Sequence, residues 1–146
     1  MAEHIFGKEK CVLRDFFNRK GEESPPAFID KIEEFEKIDI VRLKGPIDMF
    51  TIPGLDGLKD KATREKNFLK KDIILDFKQV THVDGATCAM LVKTLSQLKH
   101  EKHHLVLMNV SSKLRNMMDI SMIGKMFKIY ETEEEALEQL KKEEKI

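Results

Sequence analysis

The segment Val83, Asp84, Gly85, Ala86, Thr87 holds the residue types and spacing in this chain that best suit chemistry. It joins an apolar, strand-like run to a helix-like one. The first turn of that helix therefore offers unbonded backbone amides and a positive dipole end. Asp84 suits the N-cap, with its carboxylate accepting from those amides; an anion or phosphoryl group is the alternative occupant, and the segment alone does not decide between them. No Gly-rich phosphate loop, GxSxG or HExxH is present. His100, His103 and His104 cluster between a helix and a strand with no Cys or carboxylate at ligand spacing, which reads as a solvated turn rather than a metal site. Cys88 falls on an apolar helix face and reads as a buried structural thiol. Cys11 is far from it in the chain, so neither a disulfide framework nor zinc spacing is indicated. With no convergent nucleophile, base and stabiliser, the chain is expected to be no enzyme and to need no cofactor or metal.

The elements that must position this segment follow from periodicity and punctuation. Ser24, Pro25 and Pro26 mark the domain boundary, because consecutive prolines remove backbone donors and hold their neighbours extended. Residues 1–25 form an N-terminal extension, in which Val12, Leu13, Phe16 and Phe17 fall at helical spacing and Gly21 stops the run. This short amphipathic helix is expected to dock on its own domain or on a second copy, as in a homodimer, with a partner or membrane surface as the alternative. Residues 26–146 form the domain. Phe28, Ile29, Ile32 and Phe35, then Ile38, Ile40, Val41 and Leu43, fit a strand pair stopped by Gly45 and Pro46. Thr51 can cap a helix with Pro53 in its first turn, running to about Leu69. Asp72 to Phe77 is a buried central strand.

After Asp84, residues Cys88, Leu91, Val92, Leu95 and Leu98 define one helical face. Leu105 to Val110 supply another buried strand, Ser111 or Ser112 caps a helix with Leu114, Met117 and Met118 inward, and Phe127 to Tyr130 form a short strand. Thr132 with Glu135 has capping-box spacing and opens a last helix with Ala136, Leu137 and Leu140 on its apolar side. Alternating helices and strands predict an α/β domain with a mixed sheet of four or five strands, about four helices and right-handed crossovers between parallel neighbours.

The chain has 146 residues, 26 Lys plus Arg and 26 Asp plus Glu. A net charge of zero gives no global case for nucleic acid. The apolar runs fall far short of the ~20 residues that span a bilayer and no signal-like stretch follows Met1, so a cytoplasmic location is expected. The balance conceals a local asymmetry. Residues 86–128 hold seven Lys and Arg, among them Lys93 and Lys99, against Glu101 and Asp119; residues 131–146 hold seven Glu against three Lys. The basic helices after Asp84 would suit an acidic protein partner, and the clustered Met117, Met118, Met122 and Met126 suit core filling or an adaptable binding surface.

The run VRLKGPIDMFTIPGL resembles the opening strand and helix of STAS domains, the module shared by bacterial anti-sigma factor antagonists and the tails of sulfate transporters. DIILDFKQVTHVDGAT is similar to that family's central strand, loop and helix start, and LVLMNVSSKLRNMMDISMIGKMFKIYETEEEAL to its last strands and helices. The resemblance covers about residues 28–140 in order and implies a STAS-like fold. It also implies a transcription-regulating, partner-switching module whose partner is a kinase-like anti-sigma factor or related regulator. The alternative it implies is a regulatory subunit of a membrane transport system, binding transporter subunits and able to take a nucleotide.

In the antagonists the loop Asp is usually followed by Ser-Ser-Gly or a hydroxyl-bearing variant, and a partner kinase phosphorylates a hydroxyl there. Asp84 matches. Gly85 and Ala86 stand at the acceptor positions and Thr87 at the glycine. The recognition edge is then Asp84, Gly85, Ala86 and Thr87, with Lys93 on the following helix and Asp48 as supporting groups. The domain would resemble the unphosphorylated state permanently, unless Thr87 accepts the phosphoryl group after a one-residue shift.

Overall fold

The computed structural model describes residues 10–11, 28–48 and 71–144. Helices proposed around Val12–Phe17 and from Thr51 to Leu69 lie outside these residues. The described elements are strands β1 (Lys10–Cys11), β2 (Ile29–Glu34), β3 (Ile38–Ile47) and β4 (Asp72–Val83), helix α1 (Gly85–His100), β5 (Leu105–Met108), α2 (Ser112–Ile120), a 3₁₀ turn (Gly124–Met126), β6 (Lys128–Tyr130) and α3 (Glu133–Glu144). The strands form one mixed sheet in chain order, β1-β2-β3-β4-β5-β6. The first two pairings are antiparallel and the last three parallel. This is the expected α/β architecture: five strands of three or more residues, with the two-residue β1 paired to β2 at the edge.

Alternation along the strands sends side chains to two cores. Val41, Leu43, Ile73, Leu75, Leu105 and Leu107 belong to one, together with Leu91, Leu95 and Leu98 of α1 and Leu114 and Met118 of α2. Ile38, Ile40, Ile74, Val106 and Met108 belong to the other, with Ala136, Leu137 and Leu140 of α3. Burial on both faces explains why DIILDF and LVLM read as continuous apolar runs rather than alternating ones. Leu137 and Leu140 are fully buried, each worth about 1.5–3 kcal/mol in anchoring α3. Thr132 caps that helix by accepting from the Glu135 amide at 3.2 Å.

Three local expectations need correction. Strand β3 does not stop at Gly45 and Pro46 but runs through them to Ile47. Register shifts between Arg42 and Lys44 and between Gly45 and Pro46 absorb both residues. Gly45 takes φ +65, a left-handed conformation that glycine adopts without the Cβ penalty. Strand β4 likewise continues past Phe77 to Val83, because its outer half pairs with the outer half of β3. On α1 the buried set is Thr87, Cys88, Met90, Leu91, Thr94, Leu95 and Leu98, with Val92 only half-buried. Thr94 is tolerated there because its hydroxyl donates to the Met90 carbonyl at 2.8 Å.

Candidate functional site

The outer halves of β3 and β4 carry the site. Ile47 pairs in register with Val83, so Asp48 and Asp84 leave adjoining strand ends. Asp84 is extended, at φ −144 and ψ −167, and forms the N-cap of α1. Its Oδ1 accepts from the Ala86 amide at 2.8 Å, and its own amide donates to Thr87 Oγ1 at 3.2 Å. This reciprocal arrangement is a capping box with Thr in place of the usual Glu or Gln, and it satisfies helix-start donors from within the chain.

Thr87 does more than close that box. Its hydroxyl donates to the Ile47 carbonyl at 2.6 Å, tying the end of β3 to the start of α1, and the residue is 0% exposed. Replacing Thr87 by the near-isosteric Val leaves a buried carbonyl and the cap amide without this partner. A loss of about 1–3 kcal/mol in urea unfolding is expected. Gly85 is exposed, and a Cβ built there meets nothing within 4 Å. Ala86 is half-buried against the first core.

The structure thus brings Asp84, Gly85, Ala86, Thr87 and Asp48 to one edge. Lys93 stands farther off: at about 1.5 Å per residue it lies roughly 13 Å along α1 from Asp84. It lines instead a groove of about 690 Å³ with Cys88, Ala89, Val92, Ser96, Gln97, Ser121 and Ile123. Cys88 is buried as expected, and burial, helped by the Asp84 charge, pushes its thiol pKa up, away from the reactive thiolate. His103 and His104 flank a carboxylate: the His104 amide donates to Asp72 Oδ1 at 2.8 Å and His103 Nδ1 lies 3.6 Å from it.

Sequence reasoning missed two polar clusters elsewhere on the sheet. Arg42 joins Glu33, Asp76 and Glu133, and Asp39 sits 3% exposed near Lys71. The available signal was charge at sheet positions flanked by apolar residues, in IDIVRL and DIILDF. For the groove the sequence offered the basic charge of Lys93 and the clustered methionines, but not the shape, because its two walls come from separate elements.

The chain matches the STAS domain family over residues 31–136. Its fold is similar to that of a Thermotoga maritima protein described as an anti-sigma factor antagonist, with TM-score 0.65, 17% identity and coverage of 75% of this chain and 92% of that one. It is also similar to the anti-sigma factor antagonist SpoIIAA in its unphosphorylated form, with TM-score 0.56, 18% identity and coverage of 74% and 92%. The Bacillus cell fate determinant SpoIIAA in the phosphorylated form gives TM-score 0.56, 20% identity and coverage of 74% and 96%. Among the described residues no helix is long and apolar enough to cross a membrane. With the family match running from the middle of β2 into α3, the chain belongs to the STAS domain family.

Proposed function

We propose that this chain is a non-enzymatic protein-interaction module, an anti-sigma factor antagonist or related partner-switching regulator, that works without the usual phosphoacceptor. Asp84, Gly85, Ala86 and Thr87, supported by Asp48, form its recognition edge toward a kinase-like regulator. Membership of the STAS family and the antagonists among its structural neighbours support the class. One observation carries the loss of the switch: the hydroxyl that the Asp84–Thr87 segment possesses is fully buried and bonded at 2.6 Å to the Ile47 carbonyl. A kinase would have to break that bond and unwind the first turn of α1 to reach it. A phosphoryl group adds about 1.5–2 negative charges, so an edge that never receives one keeps a constant affinity for its partner.

The test is reconstitution with a kinase-like anti-sigma factor and ATP, read by intact-mass and peptide mass spectrometry. The native chain is expected to form the complex and remain at its unmodified mass. Gly85→Ser should gain one phosphate, since that position has open space for a side chain. Phosphate on Thr87 of the native chain would overturn the proposal, as would the absence of any complex. Isolation of transporter subunits as the bound proteins would favour the other branch of the family.

A further inference from the structure

We infer that the groove between α1 and the turn after α2 is a docking site for an acidic amphipathic helix of a partner protein. This goes beyond the recognition edge, and its test does not require the kinase-like regulator. Cys88, Ala89, Val92, Lys93, Ser96 and Gln97 line the groove as a stripe at intervals of four along α1. Such a stripe is the shape of a seat for a helix. Ser121 and Ile123 form the opposite side. Beside them stand Ile120, 83% exposed, Met122, 88% exposed, and Met126, 44% exposed, the exposed large apolar side chains among the described residues.

The turn that presents them is built at a local cost. After α2 the Ile123 amide donates to the Met118 carbonyl at 2.9 Å and the Met122 amide to Asp119 at 3.0 Å, the two bonds of a Schellman motif. Met122 occupies its left-handed position, at φ 60, where glycine or asparagine is the favourable choice. The same motif ends α1, with Lys102 at φ 63. There the left-handed residue is a solvated ammonium; at α2 it is an exposed thioether. At Gly124 the Asp119 carboxylate comes so close that a Cβ there would have to displace it. Asp119 is thereby turned toward the turn, while Lys93 lines the groove, Lys125 follows Gly124, and Lys113 shares the helical face of Ile120 seven residues on.

An apolar seat with Lys93 in its wall and Lys125 two residues beyond Ile123 matches a helix with an acidic polar face. Among the described residues a second copy does not supply one, because the acidic helix α3 has Ala136, Leu137 and Leu140 already buried at 0% exposure.

The probe is a synthetic 18-residue helix with Leu at i, i+3, i+4 and i+7 and Glu elsewhere, followed by fluorescence anisotropy. The native chain should bind it, with affinity falling as salt rises, and should bind the Lys-faced counterpart at least tenfold more weakly. Met122→Asn suits the left-handed position, so its melting temperature should hold or rise while peptide affinity falls at least fivefold. Ile120→Asn should behave in the same direction. Undiminished binding by a folded Met122→Asn chain would overturn the inference. So would stronger binding to phosphatidylglycerol vesicles than to the peptide, or self-association abolished by that substitution. Gly85→Ser should bind the peptide like the native chain, so failure of the phosphoacceptor proposal and failure of this one remain distinct.

Discussion

Replacing Arg42 by Ala lowers the unfolding free energy by about 3–5 kcal/mol, the range for removing one partner of a buried ion pair. Arg42 projects from β3 on the α3 side of the sheet. Its Nη1 donates to Asp76 Oδ2 at 2.9 Å, and its Nη2 donates to Glu33 Oε2 at 3.1 Å and Glu133 Oε1 at 2.6 Å. The side chains of Glu33 and Asp76 are each 10% exposed, against 36% for Glu133. Without the guanidinium, two nearly buried carboxylates lose their cation. Asp76 keeps hydrogen bonds from the Lys78 amide and the Asn109 side chain, at 3.0 and 2.9 Å, and Glu33 keeps Lys31 at 2.8 Å. The penalty is therefore less than that of isolated buried charges. Arg42→Lys should recover part of the loss, since a single ammonium cannot reproduce a fork that serves three carboxylates.

The effect depends on pH in a definite direction. Burial by itself would raise the Glu33 carboxyl pKa, but hydrogen bonds from Arg42 and Lys31 outweigh it and hold the net value below the ordinary glutamate range. A carboxylate lowered in the folded state contributes stability above its unfolded pKa and loses it as pH falls through the folded one. Urea unfolding across pH should show the native and Arg42→Ala curves farthest apart near neutrality and converging in acid. A constant gap would mean that Arg42 acts through packing alone.

Asp39→Asn is expected to stabilise the protein at pH 8 by on the order of 4 kcal/mol and to be close to neutral at pH 4. Asp39 is 3% exposed and its Oδ1 has no hydrogen-bond partner. The Lys71 ammonium lies 3.6 Å away, directed instead to Glu34 Oε1 at 3.0 Å and the Phe35 carbonyl at 2.9 Å. Burial pushes the Asp39 carboxyl up to about 7; Lys71 opposes the shift and Glu34 adds to it. The sign is opposite to that of Glu33. The folded chain binds this proton more tightly than the unfolded chain, so stability falls as pH rises from the unfolded aspartate value through about 7. Asn removes the charge and keeps the shape, while Lys71 retains Glu34. Equal denaturation midpoints for Asp39→Asn and the native chain at pH 8 would show that the carboxylate is stably ionised in the fold. The two groups thus act in opposite directions: Glu33 contributes stability that is lost in acid, and Asp39 costs stability as pH rises through about 7.

Much of the scaffold was legible in the sequence because it rests on local rules. Asp84 as a helix cap, Ser111 and Thr132 as the next two caps, and the central strands in DIILDF and LVLM each depend on residues within a few positions of one another. The inward face of α3 followed from periodicity in the same way. Gly45 and Pro46 misled for the converse reason. They signal a stop, and only the pairing of β3 with β4 turns that stop into an irregularity inside a longer strand. The edge residues could be named from the chain, but the state of the Thr87 hydroxyl could not, because its acceptor is Ile47, 40 positions earlier.

The sequence by itself determined the α/β class, the order of the described helices and strands from β2 onward, and the Asp84 cap, since hydrophobic period and capping chemistry act over one or two turns of chain. Tertiary structure decided what those elements do to each other. It gathered Arg42, Glu33, Asp76 and Glu133 from three strands and a helix, withheld the Thr87 hydroxyl from solvent, and set Met122 beside a groove whose two sides come from different elements. Charge pairing, burial and concavity are properties of distances between remote residues, which chain order does not contain.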